Sequence, residues 1–465
     1  MSDNKKAVIS GIAYTFASFA TAGMAFLTTP IFTRLMSQTD FGAFNNFTSW
    51  QSVLTVIISL NLSATFISAR FDYKNEFESY VYSMIAFTGV AILIFLFVVN
   101  IWPKLFINAL NMPLKYINLL IIYIFFSQTV GIFQTKEQFD FKYKSSILVG
   151  IINSIGTAII SILLVYILND KLKGRIIGYT IPTILIGAIL IFFIVREGKK
   201  IRVKHLKYAL PICLPFIPHM LSLSLLNSMD RIMINKICGN EETALYSLAY
   251  TCSSIVTVLM TSMNTAYSPW LARKLEKREY NLITKFSYVY ILTFIFLLLG
   301  ILLIAPEILF ILGGKAYSEA VFVMPPVITG CAMQMMYTMH VNIEQFNRKT
   351  IGMAIASVIA AISNYILNYI FIPIYGYIAA AYTTYISYLI LLLLHIYLVK
   401  KIKVGKIYDN KFILVIILSL SLIMLLFNGL YLSDYIRYIV ILIYIIMFLV
   451  LLKKEGKNLV KIFKQ

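Results

Sequence analysis

Read for its alternation of apolar and polar positions, the chain is a succession of long apolar stretches joined by short polar ones. Fourteen stretches come close to or exceed the roughly 20 residues that a helix needs to cross the hydrocarbon of a bilayer. They are 7–30, 41–67, 79–101, 116–135, 145–168, 176–195, 209–235, 244–267, 286–305, 321–343, 351–372, 376–399, 411–430 and 435–452. Hydrocarbon offers no partner to a backbone N–H or C=O, so stretches of this length are predicted to be helices. The pattern therefore predicts an all-α polytopic membrane protein of about 14 transmembrane helices. Lys5 and Lys6 precede the first stretch, as basic residues precede a signal peptide. That stretch is too long for a signal's apolar region and no A-x-A site follows, so it is expected to stay as an anchor.

Polar residues inside these stretches are not scattered. At 100° per residue, Ser10, Tyr14, Ser18, Thr21 and Thr28 share one arc of span 1, opposite Ile12, Phe16, Phe19 and Phe26. Span 2 repeats the pattern with Thr48, Ser52, Thr55, Ser59 and Ser63, and the stripe ends on Arg70. Span 8 carries Ser247, Thr251, Ser254, Thr261 and Thr265. On one helix such a stripe serves helix packing in lipid equally well. Three stripes on three helices point to a hydrated central cavity.

Span 7 opens with Pro211, Pro215 and Pro218 before His219, and three prolines in eight residues predict a broken helix. Broken helices at membrane depth occur where backbone is buried or lines a cavity. Further along stand Asn227, Asp230 and Arg231. Charge within a span is costly and reads as functional. Asp230 lies about 28 Å along a helix from Pro211, which places it near the outer mouth. Beside a functional role stands a structural one, as the partner of an arginine or as a snorkelling side chain.

Composition agrees with the pattern. Of 465 residues, 60% are hydrophobic and 13% charged, and the mean hydropathy is +0.83. A soluble domain carries about 25% charged residues, so lipid is the main solvent here. The net charge of +20 would suit nucleic acid, but its distribution suits a membrane. With the N-terminus placed inside, thirty of the forty Lys and Arg residues fall in inner connections and ten in outer ones. That bias is the positive-inside rule, and it puts both termini in the cytoplasm. The clusters Arg196–Lys207, Arg273–Lys285, Lys400–Lys411 and Lys453–Lys464 suit anionic inner-leaflet lipid. No nucleic-acid partner is needed.

Cys213, Cys238, Cys252 and Cys331 lack metal-type spacing and read as small apolar fillers. His340 and Glu344 share a helix face, but two ligands do not make a metal site, and helix packing is the expected role. No metal site is predicted. No G-x-x-x-x-G-K-[ST] loop is present, and no catalytic residue is predicted. The pair of aspartates that holds a metal–sugar-nucleotide in glycosyltransferases is also missing. The expectation is a transporter and not an enzyme, with no cofactor and with gradients or substrate supply as the drive.

The two halves resemble each other. Arg34-Leu-Met-Ser-Gln-Thr-Asp40-Phe-Gly-Ala-Phe44 after span 1 matches Lys236-Ile-Cys-Gly-Asn-Glu-Glu242-Thr-Ala-Leu-Tyr246 after span 7, at an offset of 202. Glu137-Gln138-Phe139 after span 4 matches Glu344-Gln345-Phe346 after span 10, at an offset of 207. Six spans per copy make the copies parallel, related by an axis along the membrane normal. Spans 13 and 14 lie outside the repeat. The expected divisions are 1–200 for spans 1–6, 201–405 for spans 7–12, and 406–465 for two C-terminal helices with a basic tail.

Four passages carry a resemblance to a known family. They are Phe32-Thr-Arg34-Leu-Met-Ser-Gln-Thr-Asp40-Phe-Gly42, Leu206-Lys-Tyr-Ala-Leu-Pro211 with Asn227-Ser-Met-Asp230-Arg231, Ala244-Leu-Tyr246-Ser-Leu-Ala249-Tyr250, and Asn368-Tyr-Ile-Phe-Ile-Pro373-Ile-Tyr-Gly376-Tyr-Ile-Ala379-Ala380-Ala381. Together they resemble the Wzx-type polysaccharide flippases of the MOP (MATE-like) exporter superfamily. The resemblance implies two six-helix lobes in a V, with spans 1, 2, 7 and 8 facing a central cavity. It implies movement of an undecaprenyl-diphosphate-linked oligosaccharide across the bacterial inner membrane for O-antigen or capsule assembly. It also implies membrane lipids and other polysaccharide-assembly proteins as partners. Arginine suits diphosphate because its planar fork binds oxyanions bidentately, which makes Arg34, Arg70 and Arg231 the candidate contacts. His219 is a polar contact deeper in span 7, and Asp230 orients Arg231 or couples H⁺ or Na⁺. A drug/cation antiporter or a lipid II flippase would share the fold. A polysaccharide polymerase would need a larger outer loop than the connections of about 15 residues found here.

Overall fold

A computed structural model describes residues 23–139, 142–402 and 407–462. Among them all regular structure is helical. Helix α1 is described from 23 to 35. There follow α2 (Gln38–Ser59), α3 (Phe66–Asp72), α4 (Phe77–Ile101), α5 (Pro103–Leu110), α6 (Leu114–Phe139), α7 (Tyr143–Ile167), α8 (Lys171–Gly198) and α9 (Val203–Cys213). The chain continues with α10 (Ile217–Ile237), α11 (Asn240–Glu276), α12 (Tyr280–Leu303), α13 (Ala305–Gly313), α14 (Met324–Phe346), α15 (Thr350–Tyr375), α16 (Tyr377–Lys401), α17 (Asn410–Leu430) and α18 (Asp434–Ile462). Among the described residues, eleven helical segments are long and apolar enough to cross a bilayer. The protein is a multi-pass membrane protein.

The helices follow the hydropathy pattern closely, with one difference in span 2. That span is not continuous to 67: α2 stops at Ser59, and Leu60 and Asn61 adopt left-handed φ of 50° and 51°. Such a conformation costs an L-residue about 1–2 kcal/mol. Local bonds compensate, because Asn61 N–H donates to Ser59 Oγ at 3.2 Å and Cys213 Sγ donates to the Asn61 carbonyl at 3.3 Å. Arg70 therefore sits on the separate short helix α3 and not at the end of the α2 stripe. The proline-rich start of span 7 breaks as expected, with α9 and α10 joined through a 3₁₀ turn at Leu214–Phe216.

The chain divides into two compact units. The first runs to Ser247 and includes Ile351–Thr383; the second comprises Leu248–Thr350 and the chain from Thr384 onward. In the first unit, α7 and α8 approach so closely that a Cβ at Gly178 would fall 2.3 Å from the Ser161 Cα. Small residues serve this purpose in lipid, where close packing drives helix association. Lys136 at the end of α6 is buried between Glu78 of α4, at 2.7 Å, and Glu197 of α8. The connection from α8 to α9 is tied down nearby. Arg202 and Lys204 grip the two oxygens of Glu76 at 2.8 and 2.7 Å. The bond from Lys204 holds the Glu76 carboxyl below its ordinary range.

At the opposite end of these helices the two repeat segments meet. Thr39 Oγ1 donates to Glu241 Oε1 at 3.0 Å, joining positions 202 residues apart. This is the offset of the repeat. Beside the Thr39–Glu241 bond, Gly42 packs under the backbone of Asn240, where a Cβ would lie 1.7 Å from the carbonyl oxygen. The second repeat match is also mirrored in the backbone: Lys142 N–H bonds the Glu137 carbonyl and Lys349 N–H bonds the Glu344 carbonyl, both at 2.9 Å.

In the second unit α14 is the most enclosed helix, and Arg437 fastens α18 to α12 and α13. Arg437 is 2% exposed and bonds the Leu303 carbonyl at 3.1 Å, Glu307 at 2.6 Å and Asp434 at 2.9 Å.

Candidate functional site

Tyr14, Ser18 and Thr21 of the first stripe lie outside the described residues. On α2, Thr48 and Thr55 are half-buried, Ser52 is exposed and Ser59 is buried. On α11, Ser254, Thr261 and Thr265 are exposed and Thr251 is half-buried, while Cys252, Val256 and Met260 bury the other side. The expected polar faces are therefore present on two helices. Their hydroxyls bond backbone carbonyls one turn back, as in Ser52 to Thr48 at 3.2 Å and Thr261 to Thr257 at 2.8 Å. This back-bonding makes them compatible with lipid as well as water.

The cationic candidates are spread along the protein. Arg34 is exposed just before α2 and bonds the Pro30 carbonyl at 2.8 Å. Arg70, past the other end of α2, lies over the Phe77 ring at 4.8 Å. Helix α2 has 22 residues, or about 33 Å, so Arg34 and Arg70 do not serve one small group together. His219 is half-buried in the first turn of α10. Arg231 turns its fork along its own helix to the Asn227 carbonyl at 2.8 Å, and Asn227 itself is exposed.

Asp230 is different: it is 2% exposed and gathers residues from three other helices of the first unit. Tyr246 of α11 donates its hydroxyl to Oδ2 at 2.6 Å. Two amides of α15, Asn368 at 2.7 Å and Asn364 at 3.3 Å, donate to Oδ1. Asn368 also donates to Asn364 Oδ1 at 3.2 Å and accepts from Thr383 of α16. Tyr246, Asn364, Asn368 and Thr383 are all within 2% of full burial. Donors aimed at one carboxylate are the partners a buried acid requires. The cluster also brings together the oxygens of a carboxylate, two amides, a threonine and a tyrosine. An amide rotation at Asn364 or Asn368 turns its carbonyl oxygen toward Asp230 in place of its nitrogen.

Sequence reasoning found Asp230 but not its companions. Asn364 and Asn368 stand at i,i+4 in an apolar stretch, so both amides had to share one buried face. That spacing was the available signal. Nothing local marked Thr383.

A family model described as polysaccharide biosynthesis protein matches residues 8–275, more than half of the chain. The chain belongs to the polysaccharide biosynthesis protein family. The MatE model also matches this polysaccharide biosynthesis protein, over residues 215–370, which hold Asp230, Tyr246, Asn364 and Asn368. No curated protein sequence matches the chain. Among solved structures, the lipid II flippase MurJ in an inward closed conformation is similar with a TM-score of 0.70 and 17% identity, over 94% of this chain and 98% of that one. An inward-facing multidrug resistance MATE family transporter of the MOP superfamily is similar at 0.61 and 12%, over 83% and 95%. A MOP superfamily transporter from Pyrococcus furiosus is similar at 0.52 and 13%, over 86% and 96%. The fold is that of the MOP superfamily, as the four sequence passages implied, and these similar structures are of transporters.

Proposed function

We propose that the protein is a flippase that carries undecaprenyl-diphosphate-linked oligosaccharide from the inner to the outer leaflet of the bacterial cytoplasmic membrane, by alternating access, for O-antigen or capsule assembly. The observation that carries the reading is the polysaccharide biosynthesis family match on a chain with a MOP transporter fold. The charge bias supports cytoplasmic termini. In that orientation Arg70 meets the diphosphate as it loads, Arg231 and Arg34 meet it near the outer side, and His219 contacts the saccharide between them. The polar face of α2 lines the saccharide's path while the polyprenyl tail stays in lipid.

Asp230 is a coupling site in this reading, with Na⁺ as its ion. A hard cation takes oxygen ligands, and Asp230 with Asn364, Asn368 and Thr383 supplies them. Asp230→Asn removes the carboxylate charge from the cluster. The loss of a charge-assisted contact is worth about 1.5–3 kcal/mol, so Na⁺ dependence of transport should weaken about 10- to 100-fold.

Deletion of the gene should stop surface polysaccharide while its lipid-linked repeat unit accumulates facing the cytoplasm. A unit that still reached the outer leaflet and stayed unpolymerised would overturn the reading in favour of a polymerase. The similar MurJ structure is named a lipid II flippase; rescue of lipid II translocation by this chain, without effect on surface polysaccharide, would replace the substrate.

A further inference from the structure

The second unit holds another buried carboxylate. Glu344, near the end of α14, is 1% exposed, and its Oε1 lies 2.6 Å from Nδ1 of His395 on α16, also 1% exposed. The other carboxyl oxygen, Oε2, is shut off from water and has no hydrogen-bond partner among the described residues.

The repeat shows what is unusual here. In the first copy the equivalent Glu137 lies 3.9 Å from the Lys142 ammonium. In the second copy the backbone turn is the same, but the equivalent Lys349 makes no ion pair among the described residues, and the carboxyl turns to a histidine instead. Position 188, the counterpart of His395 in the first copy, is alanine. Where the first copy sets a lysine ammonium against the carboxyl, the second sets an imidazole.

Charge accounting decides what the pair holds. An ionised Glu344 beside a neutral imidazole is a net buried charge with an oxygen left unpaired, which the interior tolerates poorly. One proton, on either Oε1 or Nδ1, makes the pair neutral. A sodium ion would not do the same, because it needs several oxygens. The pair's neighbours include the Tyr337 ring, stacked on His395 at 5.6 Å, and His340, one helical turn before Glu344. No group of three or more His, Cys, Asp or Glu residues gathers as a metal site among the described residues.

We propose that Glu344 and His395 form a proton-binding site, holding one proton between Oε1 and Nδ1 and exchanging it with water as the protein cycles. On release the bond to that proton breaks and water accepts it, leaving a carboxylate and a neutral imidazole; nothing is oxidised or reduced. Coupling of this site to saccharide movement rests on the flippase reading, whereas the site itself does not. Around the pair, Tyr388 of α16 stacks on Tyr337, and His340 of α14 meets Tyr408, whose hydroxyl pairs with Tyr267 of α11 at 2.8 Å. Arg348 and Lys349 follow α14, and Lys400 and Lys401 end α16. His340, whose Nδ1 lies 2.8 Å from the Met336 carbonyl, is the second imidazole beside the pair, so it requires its own variant.

The experiment counts protons released by full-length protein, without saccharide, on a pH step between about 5 and 8 read by an indicator dye. Wild type should release about one proton per chain more than Glu344→Gln, and His340→Asn should leave that difference in place. Should Glu344→Gln fail to reach the membrane, the double variant Glu344→Gln with His395→Asn keeps a neutral pair and reads the same difference. Equal release by wild type and a folded variant, with only a lower melting temperature, would overturn the proposal and leave a packing role. In proteoliposomes Glu344→Gln should also lose the acceleration of translocation by an imposed pH gradient. If wild type moved no saccharide while the proton count held, the flippase reading would fall and the proton site would stand.

Discussion

Closure at the end where the two repeats meet depends on Gly42, and Gly42→Ala tests this directly. The added Cβ would lie 1.7 Å from the Asn240 carbonyl oxygen, 2.6 Å from its carbon and 3.1 Å from its Cα. All three are backbone atoms, so no side-chain rotation relieves the overlap. Comfortable separations are about 3.5 Å or more, so α2 must move from the start of α11 by roughly 1.5 Å or more. Overpacking of this kind costs about 1–3 kcal/mol, occasionally more. The Thr39–Glu241 bond is lost with it. A bias of about 3 kcal/mol is a factor of roughly 100 in the balance between closed and open states at this end. The assay is disulfide formation between cysteines placed at Thr39 and Glu241, which are in contact now and would be drawn apart. Crosslinking and translocation should both fall strongly, while the melting temperature falls less because the open state escapes the clash. Gly131→Ala is the control: a Cβ there meets nothing within 4 Å, and alanine favours a helix over glycine by about 1 kcal/mol. Wild-type crosslinking in Gly42→Ala would refute the argument that this contact closes the end.

Other outcomes follow from the same geometry. Arg70→Ala should weaken substrate capture about 10- to 100-fold, with Arg70→Lys in between because it keeps the charge and loses the fork; translocation normalised to inserted protein measures it, and an unchanged alanine variant removes Arg70 from the path. A reporter fused after residue 172 should be periplasmic, and reporters at both termini cytoplasmic; a cytoplasmic signal at 172 breaks the fourteen-span order. Glu76 has a carboxyl held below its ordinary value of 4.5 by Lys204, so its contribution is present above that pH and lost as pH falls through the lowered folded value. Protease cleavage of the 198–205 connection should therefore stay at its neutral-pH level near pH 5 and rise only at still lower pH, and Lys204→Ala should move the rise toward higher pH.

Much of the fold was legible along the chain. Stretch 79–101 became α4 (Phe77–Ile101) and stretch 411–430 became α17 (Asn410–Leu430) nearly residue for residue. The break at Pro211–Pro218 was legible because proline's missing N–H and ring clash act locally. The end of α2 at Ser59 was not: Leu60 and Asn61 carry no proline or glycine, and their left-handed turn is held partly by Cys213, 152 residues away in the chain. Likewise His340 and Glu344, which share a helix face, each turn elsewhere, to the Met336 carbonyl and to His395.

What the sequence by itself determined is the solvent, the order and approximate number of spans and the presence of one costly acid at residue 230. These follow from one-dimensional constraints, since hydrocarbon thickness sets the length of a span and backbone pairing sets its conformation. Only the tertiary structure decided which polar groups share a buried site. Asp230 meets Asn368 across 138 residues and Tyr246 across 16, and Glu344 meets His395 across 51. Such meetings depend on how each helix is rotated and how deep it sits against its neighbours. An apolar span reads much the same at every rotation, so hydropathy carries almost no record of those two choices, and packing makes them.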